Sequence, residues 1–571
     1  MSVNHIFQNL KCFSCTTSVA SLKHVKFKST VSRTHFRTFT NTPHWNQHNP
    51  KQLSEKWTQP TGFDTGISVW NSLTKTKCPL ILQHQHTATW YLCGPTVYDS
   101  AHLGHGSTYM RFDILRRILT DVFDIDITLA MSLTNIDDKI INRANELGLP
   151  FTYLAWNNEI EFFDDMATLN ILPPTVVMKV TEHVPQIIDF IRKLEFKEFA
   201  YSVPSGSVFF DVSKYSNYGE LSSQALQPEA VESDDSEKRN PRDFALWKAA
   251  KPGEPHWPAP WGNGRPGWHI ECSTMASTLF HDKMDIHSGG EDLLFPHHEN
   301  ELAQSQAYHG CTQWANYWLH SGHLYLKGDT DKMSKSLKNV ITISDFLQSY
   351  TADQFRLFCL LTHYKSRIEY SEESMHKAIS LDKQIINCLS HCDSYIRGQL
   401  LCQPLNEIKL RTKLESTREN VDKALRDDFN TPLAMEAIMD LIKQVNIKLG
   451  RKTETSLGGR NPAIVSQCSA YLKRVLRQFG MLLRPEVVPE CTQDQRFTYV
   501  VDSAVKFRSK VRSFAVDAPT NISVSTDTSK TVTAPLLEAC DEFRDEMKTF
   551  SVQILDHGKN STWTQAHDPK E

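Results

Sequence analysis

The period of the apolar pattern changes twice between Ala88 and Leu119. The run ATWYLC, ending at Cys93, is apolar or β-prone throughout, as a buried strand requires, and a Gly/Pro-containing loop follows it. From about Ser107 the apolar residues Met110, Ile114, Leu115 and Ile118 recur at helical spacing and predict an amphipathic helix. A second strand is predicted near DITLAMSL, followed by the helix DDKIINRANELG, which opens on acids and closes at Gly148. Strand alternating with helix implies a parallel sheet with a Rossmann-like crossover, whose ligands bind at the carboxyl ends of the strands. Cys93 sits at one such end.

Residues from about 150 to 240 read as a mostly helical insertion ending in the acidic run PEAVESDDSEKRNPRD, expected to be a mobile loop. The sheet is expected to resume through WPAPWGNGRPGWHIECS and the short strand MDIHSGG, and after about 350 the pattern is helical to roughly 560. The expected organisation is a leader over 1–54, an α/β Rossmann-like parallel-sheet domain over 66–345 carrying the insertion, and an all-α region over 346–560. No internal repeat is visible.

Composition changes this picture mainly at the start of the chain. The first 54 residues hold no Asp or Glu but seven Lys or Arg and fourteen Ser or Thr, the composition of an organelle transit peptide, without the compact apolar core of a secretory signal. Cys12 and Cys15 form a CxxC inside this leader and are poor metal candidates if it is removed. Removing seven positive charges moves the formal charge from −4 to −11, so any contact with a polyanion must come from local patches. Thirteen scattered cysteines fit a reduced compartment better than a disulfide framework, and no apolar run is long enough to span a bilayer.

The densest chemistry lies in FPHHENELAQ. His298 and Glu299 begin a zinc-protease HExxH, but the second histidine would fall on Leu302. With Pro296 suited to the first helical position and Gly310 to the position after the last, one helix of about thirteen residues is expected. His297 and Glu301 then share a face, His298 points about 100° away, and Glu299 serves the helix N-terminus. An imidazole and a carboxylate on one face can supply two metal ligands, and Cys93 and Cys272 are the cysteines placed where strand-end loops converge. Cys388, His391 and Cys392, in CLSHC, form a rival cluster that reads as a packed helix face.

Between the first strand and its helix lies HLGH, His102 to His105, where imidazoles and backbone N–H groups can meet a phosphate and Gly104 permits close approach of a base. Far downstream comes KMSKS, Lys332 to Ser336, whose two ammonium groups can neutralise charge developing on a triphosphate. With both motifs in this order the sequence resembles the class I aminoacyl-tRNA synthetases. Within them, YLCGPTVYD, LTNIDDKI, DFALWK, GRPGWHIECS, DIHSGG, FPHHENE and KMSKSLKN resemble the cysteinyl-tRNA synthetase family in its mitochondrial form, from Val69 to Pro432.

The resemblance implies one zinc ion per chain on Cys93, Cys272, His297 and Glu301, and a cysteine pocket with Gly94, Thr134, Trp268 and His297. It implies that His102, Gly104, His105 and Lys335 handle ATP with its Mg²⁺, and that His102, His105, Lys332 and Lys335 act in catalysis. It further implies activation of L-cysteine as an adenylate, transfer to tRNA(Cys), a place in the mitochondrial matrix, no membrane, and a monomer as the favoured state. Zinc would act as the selectivity device, because an apolar pocket separates cysteine from serine, alanine or valine by only roughly ten- to two-hundredfold. A secondary cysteine persulfide synthase activity is attributed in the family to lysines of KIIK and KMSKS. Here the first motif is KIIN, with Asn142 in place of one amine. The alternatives are a ligase that joins activated cysteine to a small amine, disfavoured by the long helical region, and a catalytically silent RNA- or zinc-binding paralogue, disfavoured by intact HLGH and KMSKS.

Overall fold

The computed structural model describes residues 57–222, 237–328, 340–450, 460–483, 493–521, 526–550, 552–557 and 560–565. The leader, part of the acidic run, and KMSKS with Lys332 and Lys335 lie outside the described residues.

A hairpin of β1 (Phe63–Asn71) and β2 (Thr76–Leu82) precedes the first central strand, β3 (Thr87–Leu92). Helix α1 (Leu103–Arg117) leads to β4 (Asp126–Leu133), whose apolar continuity buries it on both faces. Then follow α2 (Asp138–Leu147), closed by Gly148 at φ 64, α3 (Phe151–Thr168) and β5 (Val176–Lys179). Helix α1 begins four residues earlier than its apolar periodicity suggests. The cause is the cap: the Gly104 N–H donates to His102 Nδ1 at 3.1 Å and the His102 N–H to His105 Nδ1 at 3.4 Å. HLGH is therefore the first turn of the helix rather than a loop before it.

The insertion is helical in most of its regular structure, but it also starts a second sheet. After α4 (Val184–Phe196) come β6 (Ala200–Ser202), β7 (Val208–Phe210), β8 (Phe244–Ala249) and β9 (Gly264–Pro266), which pair antiparallel in a sheet of their own. The run Val208–Phe210 is buried inside it; DFALWK supplies another of its strands, and so does GRP, although WPAPWGNGRPGWHIECS was expected to resume the central sheet. Helix α5 (Trp268–Phe280) then leads to β10 (Met284–Gly290), α6 (Glu299–His309) and β11 (Ala315–Ser321).

The central sheet has the order β11-β10-β3-β4-β5, all parallel. Chain connection runs outward from β3 to β4 and β5 on one side and returns to β10 and β11 on the other. The crevice between the carboxyl ends of β3 and β10 is thus the switch point where such sheets bind ligands. β10 and β11 are buried along their whole length, so the residues at their ends are fixed by packing on both faces.

Beyond β12 (Leu324–Leu326), α7 (Ile343–Leu347) and α8 (Ala352–Leu360), β13 (Ile368–Tyr370) pairs with β12, and four long helices follow: α9 (Glu372–Ile396), α10 (Glu407–Arg426), α11 (Thr431–Leu449) and α12 (Pro462–Gln478). Cys388 and Cys392 are buried in the face of α9 while His391 is exposed, so CLSHC is helix packing, as its spacing suggests. The C-terminal part is not all helix: α13 (Gln493–Asn521) and α14 (Thr526–Lys548) pack with a hairpin of β14 (Val552–His557) and β15 (Asn560–Gln565). Buried Arg356 on α8 joins the layers, donating to Asp113 of α1 at 2.5 Å and to the carbonyls of Asn170 at 2.7 Å and Phe479 at 3.2 Å.

Candidate functional site

Three elements deliver four side chains to the switch-point crevice. Cys93 directly follows β3 and is held there by its N–H, which donates to the Ser288 carbonyl at 3.1 Å. Cys272 lies in the second turn of α5, and His297 and Glu301 flank the start of α6. Cys93 Sγ is 3.8 Å from Cys272 Sγ and 3.3 Å from Glu301 Oε1, and His297 Nε2 is 3.0 Å from the same oxygen. Ligand atoms around a tetrahedral zinc ion with ordinary bond lengths lie roughly 3.3–3.8 Å apart. One donor atom from each of the four falls within 4.8 Å of the others, and all four residues are buried. The set therefore fits a single small cation.

Protonation follows the same geometry. The two thiols share a proton: burial and the neighbouring Cys272 sulfur push the Cys93 thiol well up, while the hydrogen bond from Cys93 brings Cys272 down to about 5. Burial opposes charge on His297, but Glu301 and Cys272 together carry it up to about 10. Burial likewise opposes charge on Glu301, and His287 and His297 hold it well below the carboxylate range. Thiolate, carboxylate and imidazolium thus meet in a dry pocket, with protons where a soft dication would satisfy the same anions.

The residues around the cage are equally specific. The Gly94 N–H donates to Ser132 Oγ at 2.9 Å, and a Cβ at Gly94 would sit 1.8 Å from the Ser132 carbonyl oxygen. Thr134, just past β4, donates to Glu271 at 3.0 Å, and burial keeps that carboxyl well above its usual range. The Trp268 ring lies 4.4 Å from that of His297 and is 37% exposed, so it is the partly open side of an otherwise buried cluster. At the other end of the crevice His102 and His105 stack at 3.9 Å. Each accepts a backbone N–H on Nδ1, which places the proton of the neutral ring on Nε2. His102 pairs with Thr342, and the Leu103 N–H donates to Ile341 at 3.0 Å, so HLGH is tied to the chain that returns from KMSKS.

FPHHENE departs from the single expected helix. Phe295 is extended (φ −142, ψ 133), and the regular helix starts only at Glu299. His298 also faces inward, because this segment is buried on every side: its Nε2 is 3.3 Å from Cys93 Sγ and its Nδ1 2.7 Å from His320 Nε2. Glu299 does not serve the helix end. It is buried and accepts the backbone N–H groups of Gly219, Glu220, Leu221 and Ser222 at 2.6–3.1 Å. Sequence reasoning also missed His287 on β10, 2.9 Å from Glu301 Oε2 and stacked on Trp318 at 4.3 Å, and His269, 2.9 Å from His297 Nδ1. Cys93, His287, His298 and Glu301 form a second, overlapping donor set.

A profile of the tRNA synthetases class I (C) catalytic domain matches residues 80–380, and a DALR domain profile matches 420–483. A Xenopus tropicalis protein named "Probable cysteine--tRNA ligase, mitochondrial" is 46% identical over 520 residues, 89% of this chain and 91% of its own. This chain belongs to the cysteine–tRNA ligase family of class I tRNA synthetases. A cytoplasmic cysteine–tRNA ligase of Dictyostelium discoideum is 39% identical and aligned over 87% of this chain and 77% of its own. The Mycobacterium tuberculosis methionyl-tRNA synthetase bound to methionyl-adenylate superposes with a TM-score of 0.52 at 18% identity, over 73% of this chain and 96% of that one, a likeness of fold. For a cysteine–tRNA ligase family member, the missed histidines had a readable trace. His287 lies inside DIHSGG, and alternation along a strand puts it on the opposite face from its two neighbours.

Proposed function

We propose that this chain activates L-cysteine with ATP and transfers it to tRNA(Cys) in mitochondria, with one zinc ion held by Cys93, Cys272, His297 and Glu301. The observation that carries the reading is the buried Cys, Cys, His, Glu cage at the switch point, beside the half-open wall of Trp268. A zinc ion there would supply a soft Lewis-acid position that takes a thiolate far more readily than a hydroxyl or a methyl group. Gly94 and Thr134 bound the space beside it, the first by having no side chain and the second by being locked to Glu271. The cysteine carboxylate attacks the α-phosphate of ATP and pyrophosphate departs. The adenylate's carboxyl carbon is then attacked by a hydroxyl of the terminal ribose of the tRNA, releasing AMP.

No protein nucleophile enters this sequence, so the residues contribute position and charge. His102 and His105 present Nε2–H at the start of α1, with Gly104 between them, and Lys332 and Lys335 would supply positive charge to the phosphates alongside the Mg²⁺ that accompanies ATP. The mitochondrial relative and the acid-free leader support the location. A secondary cysteine persulfide synthase activity would have one amine fewer to draw on, because Asn142 stands where the family's KIIK has lysine.

Cysteine-dependent exchange of labelled pyrophosphate into ATP, followed by charging of a tRNA(Cys) transcript, tests the function. Cys272→Ser should lower bound zinc, measured by atomic absorption, and reduce the preference for cysteine over serine by about tenfold or more, with little change in ATP binding. Unchanged metal content would remove Cys272 from the cage. Exchange without tRNA charging would favour a small-amine acceptor.

A further inference from the structure

The turn between α10 and α11 spans Asp427 to Asn430, and its two central residues are both left-handed, Asp428 at φ 60 and Phe429 at φ 51. Neither is glycine, and Phe429 is 1% exposed. Such a conformation persists only where the surroundings over-determine it. Here they do. The Asp428 N–H donates to the Ser68 carbonyl at 2.8 Å, which makes the turn an extension of β1. Its carboxylate, fully buried, accepts the Trp70 N–H at 2.8 Å and the Tyr364 hydroxyl at 2.9 Å on one oxygen. The other oxygen lies 3.0 Å from Lys365 Nζ and 3.6 Å from His363 Nε2, and the Lys365 ammonium sits 4.2 Å over the Trp70 ring.

Tyr364 continues the connection. Its carbonyl accepts the Gly322 N–H at 3.0 Å and Arg111 Nη1 at 2.8 Å, and the same Arg111 nitrogen donates to Gly322 at 2.8 Å and to Ser366 at 2.9 Å. The packing is close enough that a Cβ on Gly322 would lie 2.3 Å from the Ser366 carbonyl oxygen. Gly322 immediately follows β11, two residues beyond His320, which touches His298 at the cage, while Arg111 belongs to α1, whose first turn is HLGH. The buried carboxylate therefore joins the helical arm to the N-terminal hairpin and, through the Tyr364 hydroxyl, to the segment whose backbone closes on the end of β11.

We propose that Asp428 is a positioning residue for the transfer step, fixing the α10–α11 arm against the end of β11 so that a tRNA gripped by the helices presents its 3′ end to the activated cysteine. This rests on the reading of the chain as a tRNA ligase. Cysteine activation needs no tRNA, so it does not depend on the arm.

The test compares two rates in the full-length protein. In Asp428→Asn, which keeps an acceptor for Trp70 and Tyr364 but removes the charge facing Lys365, pyrophosphate exchange should stay within about twofold of wild type, while kcat for tRNA charging falls by about tenfold and KM for tRNA changes little. Tyr364→Phe removes the hydroxyl contact, leaves the carbonyl that Gly322 and Arg111 use, and should show the same split; it carries the test if Asp428→Asn does not fold. Equal losses in both reactions would mark a residue that only holds the fold, and unchanged charging would mark a dispensable contact; either overturns the proposal. A wild-type protein that charges no tRNA with cysteine overturns the ligase reading itself.

Discussion

Glu299 shows how far one side chain can reach. Each of its oxygens accepts two backbone N–H groups of the 219–222 loop, so the helix that carries Glu301 also fastens the insertion. Glu299→Gln would set an amide –NH₂ against two of these donors and should cost about 2 kcal/mol or more of stability, read as a lower denaturant midpoint with zinc still bound. Gly94→Ala must displace the Ser132 backbone, and a shift of that size beside the proposed cysteine pocket should lower kcat/KM for cysteine activation by about a hundredfold. At this scale the sequence was legible where local geometry decides. Helical spacing alone puts His297 and Glu301 on one face, and the structure has them 3.0 Å apart. It was opaque for His298 and Glu299, because this helix start is buried on every side and the 219–222 loop that Glu299 serves is about eighty residues away in sequence.

Among the elements, α3 carries its own electrostatic load. Asp165 is half-buried and is raised to about 6 by burial, then by Glu161 and Asp164. Its folded pKa exceeds the unfolded value, so the group costs nothing below about pH 4, and the cost develops as pH rises through 6 and is complete above it. Asp165→Asn should therefore raise Tm at pH 7.5, by about 1–2 °C once solvent screening is allowed for, and raise it less at pH 5. Scanning calorimetry of both proteins at the two pH values checks the sign. The central strands and α2 were readable because burial and end signals agree along them. The start of α1 was not, because two histidines act as its capping box and histidine is not a residue that ordinarily announces a helix start. The antiparallel sheet of β6 to β9 escaped notice because its strands are short, and one is followed by more than thirty residues before its partner.

For the whole molecule, the cage is a cross-link between distant parts of the chain: Cys93 and Glu301 are separated by 208 positions. Occupancy by zinc should stabilise the fold by mass action, so chelation under reducing conditions should lower Tm by about 5–10 °C, and zinc but not magnesium should restore it. The α/β class and the helical region beyond it could be read from alternating periods, and the family from its motifs. How the parts meet could not, because Arg356 and Asp428 join elements whose pairing leaves no periodic trace.

The strand order also has a consequence for the chain as it is made. β3 emerges early but lies between β4 and β10, and β10 cannot take its place until the insertion and α5 have been synthesised. Until then one edge of β3, with Cys93 at its end, has no neighbour, and the thiol that the fold later buries beside Cys272 and Glu301 is open to oxidation. Productive folding must therefore wait for most of the catalytic region to leave the ribosome or to cross into the compartment where the protein works. Over that interval the open strand edge and the free thiol are the features that a reducing environment and protection from other chains would guard.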